Sequence, residues 1–105
     1  MKVFWSKIAL SQLKTIAYHN SFSSPKNLSD KIFERTILLQ KFPEMGSLQI
    51  FTKNTKIYKK HKYRYLVEGN YKILYYISGN NIRISLVFHT SQEPEKLSQF
   101  LENDQ

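Results

Sequence analysis

Between Lys53 and Arg64 six basic side chains occur without an acid among them: Lys53, Lys56, Lys59, Lys60, Lys62 and Arg64. Tyrosines are threaded through and beyond this run, at Tyr58, Tyr63, Tyr65, Tyr71, Tyr75 and Tyr76, with Lys72 in their midst. Cations hold phosphates, and tyrosine rings stack on bases or donate hydrogen bonds. Lys56, Lys59, Lys60, Lys62 and Tyr75 are therefore candidate contacts to a nucleic acid or another target. Cleaving RNA without a metal asks for more. Cationic groups must surround the scissile phosphate, one group must take the 2′-hydroxyl proton, and another must protonate the leaving oxygen. His89 is the acid–base candidate near neutral pH. Lys72, Arg64 and Arg83 are the charge-stabilising candidates. If the chain is an enzyme, a metal-independent endoribonuclease is the reaction these residues suit. A plainer reading stands beside it: tyrosine favours strands, so tyrosine-rich strands are most often ordinary sheet surface. Histidine at a strand end is more often a hydrogen-bonded structural residue than a catalyst. Spacing alone leaves both readings open.

Other chemistries have less support. The chain has no cysteine, which removes disulfides and thiolate metal sites. His19, His61 and His89 are far apart, and none has a second histidine or a carboxylate at ligand spacing, so no metal site is expected. Nucleophile-elbow, paired-carboxylate, P-loop and dinucleotide-glycine patterns are missing, and no cofactor is expected.

The balance of 16 Lys+Arg against 8 Asp+Glu gives a net charge of +8. Such an excess points to a polyanionic or acidic partner, or else to a merely solvated surface. The charge is uneven. Glu93, Glu95, Glu102 and Asp104, half of all the acids, fall in the last thirteen residues. The opening Met1–Lys7 has no apolar core segment, so a signal peptide is not expected. No apolar run approaches the length of a membrane span. The expected location is the cytoplasm, with no membrane partner.

The elements that must position these residues follow from periodicity. The 105 residues suit a single domain, 1–105. Residues 2–5 read as a strand, and Ser6 as the cap of a helix over 7–20 with Ala9, Leu13, Ile16 and Ala17 on one face. Ser24-Pro25 signals a second helix. Leu28, Ile32 and Leu39 form its apolar face, flanked by Phe33 and Ile37, and Pro43 ends it near Lys41. Residues 43–56 read as loop, with a short strand around Leu48–Phe51. The period then becomes two, with strands at 61–67, 71–77 and 82–88 separated by Gly-Asn turns, where both residues tolerate positive φ. Ile82, Ile84, Leu86 and Phe88 should share one face of the last strand, and Arg83, Ser85, Val87 and His89 the other. Residues 93–101 suit a short C-terminal helix. The fold class is α+β, ordered β-α-α-β-β-β, with an αα-hairpin packed on a mainly antiparallel sheet.

The ordered set of residues also resembles a known family. Trp5-Ser6, Ala9, Leu13, Ile16 and Tyr18 are similar to the opening of ParE-type toxins. Leu39, Phe42-Pro43 and Gly46 resemble the end of their second helix and its loop. The run Tyr63-Arg64-Tyr65-Leu66, Asn70-Tyr71-Lys72-Ile73, Tyr75-Tyr76 and Ile82 to Val87-Phe88-His89-Thr90-Ser91, with Pro94 and Leu97, is similar to the pattern R-x-L … Y-[RK]-I-x-Y … I-x-I-x-x-V-x-H. The resemblance is to the ParE/RelE superfamily of type II toxin–antitoxin systems. It implies a toxin neutralised by a cognate acidic antitoxin, alone as a homodimer or joined in a toxin–antitoxin hetero-oligomer. ParE-like members of plasmid stabilisation systems arrest growth through DNA gyrase. RelE-like members cut messenger RNA on the ribosome. Fold alone does not choose between them, nor between either and an inactive relative. Gln92 stands where many relatives carry arginine, and Lys72 replaces a frequent arginine. These departures weaken the nuclease reading and leave open a chain of reduced toxicity.

Overall fold

The computed structural model of the protein describes residues 1–20, 28–51 and 61–92, with the backbone alone for His19 and Asn20. Strand β1 (Lys2–Trp5) leads into α1 (Lys7–Asn20). Helix α2 (Leu28–Leu38) follows, then β2 (Ser47–Leu48), β3 (Arg64–Glu68), β4 (Tyr71–Ser78) and β5 (Asn81–His89). The five strands form one sheet in the order β1-β5-β4-β3-β2. Only β1 and β5 run parallel; the other pairs are antiparallel. This is the α+β fold expected. The short strand expected around Leu48–Phe51 is β2, and it begins at Ser47. The start of the second helix at Ser24-Pro25 and the C-terminal helix over 93–101 lie outside the described residues.

Ser6 fixes the first junction. Its Oγ accepts a hydrogen bond from the Ala9 N–H at 2.9 Å, the cap of α1. The same hydroxyl donates to the Ser85 carbonyl at 2.9 Å, and the Ser6 N–H donates to the Ile84 carbonyl at 2.9 Å. Beyond Trp5 strand β1 no longer covers the edge of β5. Gln12 takes over, its Oε1 accepting from the Val87 N–H at 2.7 Å. So α1 is sewn to the sheet edge by side chains where the strand has ended.

Helix α2 buries Ser29, Ile32 and Thr36, with Leu39 just beyond its end; Phe33 and Ile37 flank this face and stay half-exposed. Thr36 can sit in that face because its hydroxyl donates to the Phe33 carbonyl at 2.7 Å. Phe33 stacks on Trp5, with ring centroids 6.3 Å apart. After Leu38 the chain tightens into i→i+3 bonds from Leu39, Gln40 and Lys41, and Phe42 closes the turn onto the Leu38 carbonyl. Pro43 then prevents continuation.

Both hairpins are two-residue turns, closed by Glu68 opposite Tyr71 and Ser78 opposite Asn81. Gly69 has φ 58° and Gly79 φ 59°, while neither asparagine has positive φ. Positive φ at the first central residue alone is the II′ pattern, so glycine carries the turn and the asparagine needs no unusual backbone.

The expected single face of the last strand is corrected by a bulge. Tyr75 pairs with Ile84 but Leu74 pairs with Leu86, which leaves Ser85 as the extra residue. The bulge resets the alternation, because side-chain direction has period two. Ile82, Ile84 and Val87 therefore face the helices with Ile73, Tyr75, Ala9, Ile16, Ile32, Leu39 and Leu66. Leu86 and Phe88 face away, into a second cluster with Tyr63, Leu74 and Tyr76. Both faces of β4 and β5 are buried as a result.

Candidate functional site

Strand β4 carries Tyr75 under the loop that follows α2. Its side chain is fully buried, and the hydroxyl donates to the Pro43 carbonyl at 2.8 Å while accepting from the Gly46 N–H at 3.0 Å. Arg64, opposite Tyr75 in the sheet, donates through Nη1 to the Gly46 carbonyl at 2.8 Å and the Glu44 carbonyl at 3.3 Å. Two side chains thus hold four backbone groups of one short loop. Burial pushes the Tyr75 phenol above its ordinary value; the Gly46 N–H and the Arg64 guanidinium pull it back, and Glu44 adds to the rise. Gly46 leaves no room for change here. A Cβ on it would lie 2.6 Å from the Tyr75 hydroxyl and 2.8 Å from the Tyr65 carbonyl. The loop presents a shallow groove of about 370 Å³ lined by Phe42, Pro43, Glu44 and Met45.

Lys72 and Arg83 occupy the sheet face turned away from the helices. Lys72 Nζ sits 4.4 Å above the Tyr65 ring. The Arg83 guanidinium sits 4.7 Å above the Phe4 ring, from the strand next to it. Each contact contributes about 0.5–1 kcal/mol at an exposed position. Between them runs an aromatic cluster. His61 stacks on Tyr76 at 3.7 Å and 7°, and Tyr63 meets both rings edge-on. Phe51 meets Tyr63 in the same way.

His89 ends β5 on the helix side, opposite Tyr71, whose ring it meets edge-on at 5.5 Å. Its Nδ1 accepts from the Ser91 N–H at 3.1 Å and lies 2.7 Å from the Ser91 hydroxyl. A backbone N–H can only donate, so Nδ1 is the unprotonated nitrogen and a neutral ring carries its proton on Nε2. In that tautomer Nε2 is a hydrogen-bond donor. To act as a base through Nε2 the ring would have to shed this tautomer, and to act through Nδ1 it would have to give up Ser91.

The four residues singled out for catalysis do not converge. His89 and Lys72 lie at the same end of neighbouring strands, but on opposite faces. Arg83 is six residues back along β5, about 20 Å at strand rise. Arg64 is on the helix side, committed to the loop carbonyls. Lys62 is exposed just before β3, while Lys56, Lys59 and Lys60 lie outside the described residues. No three His, Asp or Glu side chains gather among the described residues. Nor is any described helix long and apolar enough to cross a membrane. Gly46 and Gln12 were not legible as site residues. Gly46 carries only the weak signal of a glycine shortly after a proline, and Gln12 carries none.

Comparison with known proteins places this geometry. The model of the ParE toxin of the type II toxin–antitoxin system parDE matches residues 3–94. A solved structure of a chromosomal ParDE toxin–antitoxin system from P. aeruginosa is similar over 85% of this chain and 95% of that one. Its identity is 19% and its TM-score 0.59, a likeness of fold. Comparison with curated proteins returns no match. The family match spans most of the chain, from within β1 to beyond the end of β5, and on that ground the chain belongs to the ParE toxin family of type II toxin–antitoxin systems.

Proposed function

We propose that this toxin acts by binding a protein target in the cytoplasm, DNA gyrase foremost, without chemistry of its own, and that a cognate acidic antitoxin neutralises it. The observation that carries this reading is the dispersal of the catalytic candidates. A metal-free nuclease needs its cations and its acid–base group around one phosphate. Here Arg64 is consumed by a loop, Lys72 and Arg83 stand at opposite ends of one face, and His89 lies on the other face. A binding protein has no such requirement. Half-exposed Phe33, Ile37, Phe42 and Met45 along α2 and its loop supply apolar contact surface for protein partners. The net charge of +8 favours an acidic antitoxin and fast, salt-sensitive association.

The test uses the purified chain and gyrase. Loss of plasmid supercoiling on adding the toxin, with messages intact in cells that express it, is the expected result. Cleaved messages with normal supercoiling would overturn the proposal in favour of ribosome-dependent cleavage. In that case the double variant His89→Ala, Lys72→Ala should relieve growth arrest.

A further inference from the structure

The two ends of the sheet are finished differently. At one end β5 outruns β1, and Gln12 Oε1 takes the Val87 N–H that β1 does not reach. In β1 itself the Arg83 guanidinium lies over the Phe4 ring. The other end is β2. It pairs with β3 through Ser47 opposite Tyr65 and Leu48 opposite Arg64, and just beyond them the Gln49 N–H donates to the Tyr63 carbonyl at 2.9 Å. Antiparallel ladders alternate. Ser47 and Gln49 turn their backbone groups toward β3, so Leu48 between them turns its N–H and C=O away from the sheet. No hydrogen bond ties either group to a described residue. Ile50 stands next in the same alternation. Its carbonyl is taken by the Gln49 side-chain amide at 3.0 Å, which leaves its N–H for a partner.

An open edge is ordinarily blunted with lysine, proline or a bulge. This one carries Leu48, 47% exposed, and Ile50, 80% exposed. The apolar groove of Phe42–Met45 comes immediately before it in the chain. Tyr75 and Arg64 hold that loop against the sheet, so groove and edge keep one geometry. Charge then discriminates among occupants. Among the described residues from 40 to 66 there are three cations, Lys41, Lys62 and Arg64, and one acid, Glu44. A second copy would bring another net charge of +8 to the same place. Like charges repel, so an acidic occupant is favoured over a second copy.

We infer that the edge at β2 is a docking site for an extended, acidic segment of a partner protein, which adds to the sheet as a further strand. The segment lies antiparallel to β2 with an apolar residue opposite Leu48. That residue and Leu48 exchange two backbone bonds, and the next apolar residue along the same face reaches the Phe42–Met45 groove. Acids placed between them meet Lys41 and Lys62. Backbone bonds set orientation in such a contact, and alternate side chains set specificity. Strand β2 is short, so burial of Leu48 and Ile50 supplies most of the affinity. The inference rests on reading the chain as a protein-binding toxin, but its test needs neither gyrase nor an antitoxin.

The probe is a short peptide of alternating valine and glutamate, blocked at both ends, added to the full chain. Amide shifts should centre on Leu48 and Ile50, hydrogen exchange at the Leu48 amide should slow several-fold, and binding should weaken as salt rises. The same peptide N-methylated at its valines should bind several-fold more weakly, because it cannot donate to the Leu48 carbonyl. Leu48→Pro removes one outward N–H and keeps both bonds to β3, a place where an edge strand tolerates proline. It should lose binding with the circular dichroism unchanged. Ile50→Ser changes an exposed side chain only and should weaken binding several-fold in a protein as stable as the parent. Absence of binding, shifts centred on β1 or the helices, or equal binding of the N-methylated peptide would each overturn the inference. Self-association that Leu48→Pro abolishes would overturn it in favour of a second copy at this edge.

Discussion

Two polar clusters in this molecule contain residues that the sequence singles out, and they are built differently. Around Gly46, the buried Tyr75 hydroxyl and the Arg64 guanidinium satisfy four backbone groups of one loop. Around His89 the contacts are local: the ring accepts from Ser91, two residues on, in an exposed turn. The first cluster joins residues 29 and 32 positions apart and can be broken only by moving the loop off the sheet. The second can rearrange within its own turn. Long-range closure, more than residue type, separates polar side chains that specify structure from those still available for other work.

The comparison breaks most visibly at Gly46. Gly46→Ala places a methyl 2.6 Å from the Tyr75 hydroxyl and 2.8 Å from the Tyr65 carbonyl. One neighbour is backbone, so the loop must lift and the Tyr75 and Arg64 bonds loosen together. Overpacking of this kind costs about 3 kcal/mol. Denaturant unfolding should show the midpoint falling with an unchanged slope. A loss under about 1 kcal/mol would mean that the loop yields easily and that the clamp is weaker than its geometry.

How much of this was legible in the sequence depends on the range of the signal. The Ser6 cap, the two helices and the Gly-led hairpins are local, and spacing alone places them. Ser85 defeats the same reasoning. Nothing in Ile-Ser-Leu-Val-Phe announces a bulge, and its evidence is a register with β4. One extra residue then moves Leu86, Val87 and Phe88 to the faces opposite those that strict alternation gives them. Tyr75 and Arg64 were singled out for ring and charge, properties that serve a phosphate and a loop carbonyl equally. What distinguishes the two uses is the partner, and Gly46 lies 18 residues from one and 29 from the other.

Tyr75→Phe sharpens the same point with less disruption. The ring stays and only the hydroxyl leaves, so the Pro43 carbonyl and the Gly46 N–H each lose a partner under cover. The expected cost is about 2 kcal/mol. The raised phenol adds a test in pH. Folded Tyr75 holds its proton more tightly than the unfolded chain does, so its stabilising contribution is complete below the ordinary tyrosine value of about 10. That contribution is lost as pH rises from there through the folded value. Unfolding free energy should therefore fall more steeply above pH 10 in the parent than in Tyr75→Phe. Parallel curves for the two proteins would show that the hydroxyl is not held as described.

The smallest effect belongs to the other cluster. Ser91→Ala removes the hydroxyl beside His89 Nδ1 but keeps the Ser91 N–H, which is the donor that fixes the tautomer. Stability should change by less than about 0.5 kcal/mol, as for an exposed side chain with one local bond. Nitrogen chemical shifts of His89 at a pH where the ring is neutral should still report a proton on Nε2. If the shifts instead show the proton moving to Nδ1, the hydroxyl rather than the backbone sets the ring, and a single local substitution turns Nε2 from donor to acceptor. That result would restore His89 as a base within reach of its own turn and would reopen the cluster to chemistry that its present geometry disfavours.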